Sequence, residues 1–376
     1  GSIVGDVTND GSLVFDRSDD IEYGNSISGS GRVVKLNSDT VLLSGANSYT
    51  GGTTLTAGTL VIGNASAIGT GTLDMAEFTT IAFANTFTLA NRITLSGDPT
   101  VDVASGVTTT LSGTIADGSQ SGDLVKTGQG TLVIAGAATY TGNTEVANGT
   151  LDVQGSATSA VTVDSGASLS GIGKVGGLSV LNGATVTPGG DDVGTLTVNG
   201  NVRFADGSRY RVDGTSAGSS DLIHATGTAT LNGGSVIGLL AGADWKAATS
   251  YTILTADGGL TGSFGNATSN FAFLTPFRVR RTRLTRGRAP PTAVVVREPS
   301  STRNARDANA FAVVRTRGSA AVRASRGRAA ASPCTSGSCR ALGDRATARG
   351  PPPFRGWRIK MKRWISWLVV LATTAP

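Results

Sequence analysis

The feature that most constrains the fold is an internal repeat. Residues 40–60 align without a gap on residues 131–151, a shift of 91 positions, and ten of the 21 aligned pairs are identical. Glycine and threonine account for seven of the ten identities. Such a repeat predicts stacked units, each of which buries its apolar face against its neighbour.

Short strand-like runs recur throughout residues 1–277. Each has about four to six residues, alternates or is fully apolar, and is bounded by Gly, Asn, Asp or Ser. Examples are residues 58–63, 130–135, 150–154, 160–164 and 194–199. No amphipathic helix is apparent there. Strands, turns and a repeat together predict an all-β fold, a right-handed parallel β-helix (a solenoid) followed by a disordered basic tail.

Composition separates the chain into two unlike parts. Aromatic residues make up only 5% of the chain, which argues against an ordinary globular core. Residues 1–277 carry a net charge of −13, whereas residues 278–376 carry +19. The overall charge of +6 therefore says little about the acidic part that is predicted to fold, and nucleic acid is not predicted as a partner.

Two copies of one motif resemble a known repeat. Lys126-Thr-Gly-Gln-Gly-Thr-Leu-Val-Ile-Ala-Gly136, Tyr140-Thr-Gly142 and Asn148-Gly-Thr-Leu151 closely resemble the passenger-associated transport repeat of type V secretion autotransporters. The copy at about 35–62 keeps the later half, but Lys35-Leu-Asn-Ser-Asp-Thr40 lacks the glycine pair of the copy at 124–153. The resemblance implies a pertactin-like β-helical passenger over residues 1–169.

Residues 170–277 resemble the C-terminal passenger region of the same family, to which an autochaperone role is assigned. The matching stretches are Gly171-Ile-Gly-Lys-Val-Gly-Gly177, Thr187-Pro-Gly189, Gly194-Thr-Leu-Thr-Val-Asn-Gly200, Ser220-Asp-Leu-Ile223, Gly227-Thr-Ala-Thr-Leu-Asn-Gly-Gly234, Tyr251-Thr-Ile-Leu254 and Ser269-Asn-Phe-Ala-Phe-Leu-Thr-Pro-Phe277. We interpret this region as a cap on the β-helix.

The resemblance implies a structural function. It predicts a stalk, exported to the bacterial outer membrane or cell surface or secreted, which supports folding, secretion and display of an upstream effector. The alternatives are an adhesin that binds host glycans or proteins directly, and a fragment of a secreted protease or esterase whose catalytic domain lies upstream. The chain itself is predicted to be no enzyme and to bind no cofactor or small-molecule substrate. Its own translocator barrel is the expected partner, and we expect this chain to lack that barrel, a signal peptide and an anchor.

The tail at residues 278–376 departs from the family pattern. It contains 20 Arg but only 2 Lys, with Ala- and Pro-rich stretches. One hypothesis is a frameshift near residue 277, since residues 361–375 are similar to the start of a signal peptide. The other is a native, disordered basic tail. Both hypotheses predict disorder.

Several patterns suggest chemistry, and a structural interpretation is favoured for each. Gly171, Gly173 and Gly176 fit a dinucleotide-binding spacing, but no helix is predicted to follow, so we interpret them as turn glycines. His224 is the single histidine of the chain, and Asp221 precedes it by three residues. A triad would need this histidine, yet no nucleophile elbow accompanies it, and surface pairing fits better.

The remaining charged and sulfur-containing residues predict no site. Asp19-Asp20, Glu22 and Asp191-Asp192 are interpreted as solvated turns in preference to glycosidase carboxylates or calcium ligands. Cys334 and Cys339 have no partner ligands for zinc. No catalytic, cofactor-binding or metal-binding residue is therefore predicted.

Two lysines and a group of aromatic residues complete the survey. Lys126 and Lys174 are isolated charges and are predicted to be solvated. The aromatic residues near the end of the recognised region are interpreted as a hydrophobic cap on the last coils: Trp245, Tyr251, Phe264, Phe271, Phe273 and Phe277.

Overall fold

The computed structural model of the chain describes residues 3–241 and 250–270, together with the backbone of residues 278–283 and 292–297. The chain divides into two units, Gly1–Val314 and Arg315–Pro376, and the second lies wholly outside the described residues. The account below therefore concerns the first unit.

The described residues form 35 β-strands and contain no α-helix. In chain order the strands are β1 (Val7–Thr8), β2 (Ser12–Phe15), β3 (Ile21–Tyr23), β4 (Ile27–Ser28), β5 (Arg32–Lys35), β6 (Thr40–Leu43), β7 (Thr53–Leu55), β8 (Thr59–Ile62), β9 (Leu73–Met75), β10 (Thr80–Phe83), β11 (Thr88–Leu89), β12 (Ile93–Gly97), β13 (Thr100–Val103), β14 (Thr108–Leu111), β15 (Ile115–Gly122), β16 (Leu124–Thr127), β17 (Thr131–Ile134), β18 (Ala137–Ala138), β19 (Thr144–Val146), β20 (Thr150–Val153), β21 (Ser156–Val163), β22 (Ser168–Gly171), β23 (Lys174–Val180), β24 (Thr185–Pro188), β25 (Thr195–Val198), β26 (Val202–Phe204), β27 (Arg209–Thr215), β28 (Leu222–Ala225), β29 (Ala229–Asn232), β30 (Ser235–Ala241), β31 (Ser250–Ala256), β32 (Leu260–Ser263), β33 (Asn266–Ser269), β34 (Arg278–Arg283) and β35 (Thr292–Arg297).

These strands build three parallel ladders. From β9 onward each coil of the described chain contributes to all three, whereas the coils of β5–β6 and β7–β8 contribute to the first two. The first ladder runs from β2 through β5, β7, β9, β12 and β15 to β18 and beyond. The second runs from β3 through β6, β8, β10, β13 and β16 to β19 and beyond. The third contains β11, β14, β17, β20, β22, β24, β27, β30 and β33. The predicted parallel β-solenoid is confirmed, and its right-handed coiling stays a prediction.

The core lies inside the coil and is made of side chains stacked in register. Val41 pairs with Leu60, Leu60 with Ile81, and Ile81 with Val101, and all four side chains are buried. Their strands alternate buried and half-buried positions, as the period of two along a strand requires. The core of the solenoid is thus formed by columns of branched side chains that continue from coil to coil, and aromatic rings contribute little to it.

The two sequence repeats do not occupy the same ladder. We name residues 33–62 repeat 1 and residues 124–153 repeat 2. Strand β5 of repeat 1 belongs to the first ladder, and four coils later that ladder is at β15. The matching strand of repeat 2 is β16, the next strand along the chain, which belongs to the second ladder. The 91-residue shift thus equals four full coils plus one further strand. Relative to repeat 1, repeat 2 is therefore rotated about the solenoid axis by one ladder, a third of a coil.

Near its end the parallel pattern changes. Strand β31 pairs with β28 in parallel but with β35 antiparallel, and β35 pairs antiparallel with β34. Both β34 and β35 fall within the region that the sequence predicts to be a disordered tail, and both contain β-branched residues that favour strands. The other residues of that tail lie outside the described residues. Strand β22 crosses the predicted domain boundary at residues 169 and 170, and this boundary stays a prediction.

Candidate functional site: the lysine corners of the two repeats

Lys126 points into the solenoid from β16, one residue before the end of that strand. Its side chain is 0% exposed. The ammonium Nζ donates to the carbonyl oxygens of Thr127 at 2.6 Å, Gly128 at 2.8 Å and Asn148 at 3.1 Å. Three acceptors match the three N–H groups of an ammonium. The prediction that Lys126 is solvated is therefore wrong, because these carbonyls replace water around its charge.

Lys35 occupies the equivalent position in repeat 1 and is equally buried. Its Nζ donates to the carbonyls of Leu36 at 2.6 Å and Asn37 at 2.9 Å, and to Oδ1 of Asp39 at 2.9 Å. The Asp39 side chain is only 3% exposed, so this is a buried ion pair. We call each lysine with its acceptors a lysine corner.

The two corners differ in how the buried charge is compensated. At the Lys35 corner a carboxylate supplies one of the acceptors. At the Lys126 corner all three acceptors are neutral carbonyls. Burial accordingly lowers the pKa of Lys126 to about 8, and the more distant carboxylate of Asp102 acts in the opposite direction.

Backbone geometry explains why the sequences of the two corners differ. Gly128 has φ of 71°, and the matching Asn37 has φ of 59°, a left-handed conformation that Asn tolerates better than most residues. A Cβ on Gly130 would lie 2.2 Å from the carbonyl oxygen of Ala104. Asp39 matches Gly130 in the alignment, so repeat 2 has no room for the carboxylate that repeat 1 uses.

A buried tyrosine and threonine form a second shared feature of the repeats. The hydroxyl groups of Tyr49 and Thr53 lie 2.5 Å apart, as do those of Tyr140 and Thr144. Burial raises the pKa of Tyr49 to about 12. Because each hydroxyl has a partner four residues away, a large aromatic ring fits into a narrow core without an unpaired polar atom.

Comparison with known proteins identifies the same two segments. The passenger-associated-transport-repeat family matches residues 33–62 and 124–153. Over 162 residues the chain is 40% and 36% identical to two extracellular serine proteases of Serratia marcescens, covering 41% of this chain and 15% of each relative. Over 186 residues it is 32% identical to the adhesin BmaC autotransporter of Brucella suis biovar 1 (strain 1330), covering 48% of this chain and 5% of that relative.

The repeats and the relatives support a pertactin-like autotransporter passenger, and the chain is called the passenger in this sense. The predicted resemblance is thereby confirmed, on the repeats, the relatives and the parallel solenoid together. The passenger spans well under a quarter of the length of each of these relatives.

His224 of the passenger lies on the surface, partly exposed. Its Nδ1 is 3.0 Å from Oγ1 of Thr255, and its Nε2 is 3.9 Å from Oδ2 of Asp257. Asp221 is fully buried and accepts hydrogen bonds at 2.8 Å from the amides of Gly194 and Asp213. His224 thus makes the expected surface pairing with Asp257. The buried Asp221 carboxylate instead links its own coil to the preceding one through the amide of Gly194.

The pKa of Asp221 reflects this burial. Loss of water raises it to about 7, against the two amide hydrogen bonds, which favour the ionised form. Sequence reasoning missed this role because a Ser-Asp pair before a strand usually indicates a turn on the surface.

The glycines of the dinucleotide-like pattern lie where coils touch. A Cβ on Gly171, Gly173 or Gly176 would come within 2.0 to 2.3 Å of a carbonyl oxygen of the preceding coil. Gly171 is the last residue of β22 and Gly176 lies within β23, so these two are strand residues and not the predicted turn glycines. The element that follows Gly171 is a strand and not a helix whose N-terminus could bind a phosphate. These glycines permit close stacking of the coils.

Asp19, Asp20, Asp191 and Asp192 lie outside strands and are exposed, as predicted for solvated turns. Glu22 is also exposed, but it lies in β3, so its placement in a turn is wrong. Asp20 accepts a hydrogen bond from the amide of Thr40 at 2.7 Å, and Glu22 accepts one from the Ser44 hydroxyl at 2.8 Å. Asp191 lies 2.9 Å from Arg211. Within the described residues no three His, Cys, Asp or Glu side chains come together as metal ligands would.

The predicted aromatic cap is described only in part. Tyr251 and Phe264 are buried, and Phe264 contacts the rings of Phe204 and Tyr210 at centroid distances of 5.1 and 6.1 Å. Trp245, Phe271, Phe273, Phe277, Cys334 and Cys339 lie outside the described residues. Lys174 is exposed, as predicted. In the described part of the passenger no helix has the length and apolarity to cross a membrane.

Proposed function

We propose that this passenger is a structural stalk, exported to the outer membrane, the cell surface or the medium, that supports folding, secretion and display of an effector located upstream. The observation that carries the proposal is the set of parallel ladders, of which two run from the first coils onward and a third joins them at β11. The buried lysine of each repeat also joins two coils, since Lys126 donates to the carbonyl of Asn148 at 3.1 Å and Lys35 to that of Ala57 at 3.5 Å. The proposed partner during export is the translocator of the same protein.

Display of the upstream part tests this function in the parental protein. Leu132 points into the core and is 0% exposed, whereas Val133, its neighbour on β17, is half-buried on the outer side. We expect Leu132→Asp to reduce surface display about tenfold, since it places a charge in the core. Val133→Asp should leave display unchanged. Equal display of the two variants, measured by antibody labelling of intact cells, would reject the stalk role.

Direct adhesion is the second candidate, favoured by the match to a relative named an adhesin. It predicts that the purified chain binds host cells saturably. Binding no greater than that of an unrelated β-solenoid of equal charge would reject it.

Proteolysis, which the names of two relatives suggest, is proposed for the parental protein only. The chain contains a single histidine, His224, and its described contacts are Thr255 and Asp257. We place any catalytic domain upstream of the passenger. A fluorophosphonate probe should therefore not label the purified chain, and labelling that depends on His224 would contradict this placement.

A further inference from the structure

Both lysine corners surround a buried ammonium group in the same way. Each ammonium is removed from water and surrounded by oxygen atoms of the chain. The arrangement occurs twice, on two different ladders. A cage that forms independently of the ladder on which it lies is a property of the repeat and not of its surroundings.

The oxygen atoms come from two successive coils. At the Lys126 corner, Thr127 and Gly128 directly follow the lysine, whereas Asn148 lies 22 residues later. Converging main-chain carbonyls are also the ligands with which proteins replace the hydration shell of a cation. The corner is therefore a cation cage that closes only when the second coil is in place.

We propose that each lysine corner is a binding site for a primary ammonium ion, which the passenger occupies with a side chain of its own. The aliphatic stem of Lys126 delivers the ammonium, and the cage recognises its three N–H groups. Emptied of that side chain, the cage should accept a small primary alkylammonium ion from solution. The inference is independent of the stalk function, because it concerns a local site whether or not the parental protein displays an effector.

Removing the ammonium should have a measurable local cost. Three partly buried carbonyls would lose the donor that Lys126 supplies, and an acceptor shielded from water is costly to leave unpaired. In Lys126→Ala the atoms beyond Cβ are missing, and n-propylammonium has the same number of carbon and nitrogen atoms as that missing part. In Lys126→Met the side chain still fills the space of the stem, so the cage is blocked and the carbonyls stay unpaired.

Hydrogen–deuterium exchange of the full 376-residue chain tests the proposal. We expect Lys126→Ala to speed exchange in repeat 2 by about tenfold or more, with repeat 1 unchanged as an internal reference. Propylammonium chloride should restore most of the protection, whereas tetramethylammonium chloride at the same concentration should restore none, because it has no N–H group. Lys126→Met should exchange fast in both salts. Lys174→Ala, which removes an exposed lysine, should behave as the unaltered chain does.

Three results would overturn the proposal. They are unchanged protection in Lys126→Ala, full protection in Lys126→Met, and equal restoration by the two salts. If Lys126→Ala folds only when propylammonium is present, the proposal is supported. If it folds in neither salt, Lys126→Gln decides the matter: an amide with two N–H groups should protect repeat 2 better than Met does, and equal exchange of these two variants would refute the role of the donors.

Discussion

Repeat 1 and repeat 2 share a fold but differ in the partner of their buried lysine. Both repeats place a tyrosine hydroxyl on a threonine and an ammonium on the carbonyls of a bend. Repeat 1 adds the carboxylate of Asp39, whereas repeat 2 has Gly130 at that position. The difference shows that the neutral carbonyls are the constant part of the corner. The counter-charge is an addition that depends on the space left by the preceding coil.

Breaking the ion pair of repeat 1 should have the largest effect. In Lys35→Met the carboxylate of Asp39 stays buried without a cation, and the carbonyls of Leu36 and Asn37 lose their donor. We expect the opening free energy of repeat 1 to fall by about 3–5 kcal/mol, because removing one member of a buried pair strands the other. Hydrogen exchange of amides in residues 33–62 measures it. If Lys35→Met lowers the opening free energy of repeat 1 no more than Lys126→Met lowers that of repeat 2, the unpaired Asp39 carboxylate adds no cost of its own.

The second prediction concerns pH and repeat 2. The pKa of Lys126 is about 8 in the folded protein and about 10.4 in an unfolded chain. Between these values the unfolded state binds more protons, so the contribution of Lys126 to the free energy of unfolding should rise with pH over this range and be constant below it. The expected gain is roughly 2–3 kcal/mol. Thermal unfolding followed by circular dichroism from pH 7 to 10 should show this rise, and Lys126→Met should abolish it; the same rise in that variant would exclude Lys126 as its source.

A smaller effect is expected when repeat 1 is given the neutral surroundings of repeat 2. In Asp39→Asn an amide oxygen can still accept from Lys35, but the opposite charge is lost. We expect a cost of about 1–2 kcal/mol in the opening free energy of repeat 1. Asp19→Asn is the matched control, because the Asp19 carboxylate also binds a cation, Arg17, but on the surface. Its cost should be much smaller, because solvent screens an exposed ion pair. If Asp39→Asn and Asp19→Asn lower stability equally, burial of the Lys35–Asp39 pair does not increase its contribution.

The fold was accessible from the sequence because its signals are local. Alternating short runs indicate strands, and ten identities over 21 residues indicate stacked units, without any knowledge of distant contacts. The third-of-a-coil rotation was not accessible, since an alignment counts residues, whereas the number of residues per coil varies. Leu132 pairs with Leu151, 19 positions later, but Thr195 pairs with Leu222, 27 positions later.

The lysine corners were missed for a physical reason. An isolated lysine is usually solvated, and burial of Lys126 is tolerable only because two carbonyls of its own coil and one of the next coil converge on its ammonium. One signal was present in the sequence. Lys35 and Lys126 occupy equivalent positions in the two repeats, each two residues before the start of a bend. A charge that recurs in this way indicates a structural role for its head group.

The rotation between the repeats has a consequence for how such a chain can be extended. The same segment fits two different ladders, so strand positions on successive sides of the coil are equivalent for it. A duplicated stretch need not contain a whole number of windings to find its place. One strand and one bend are then the smallest increment by which the stem can grow, and neighbouring copies of a module will point in different directions around its axis.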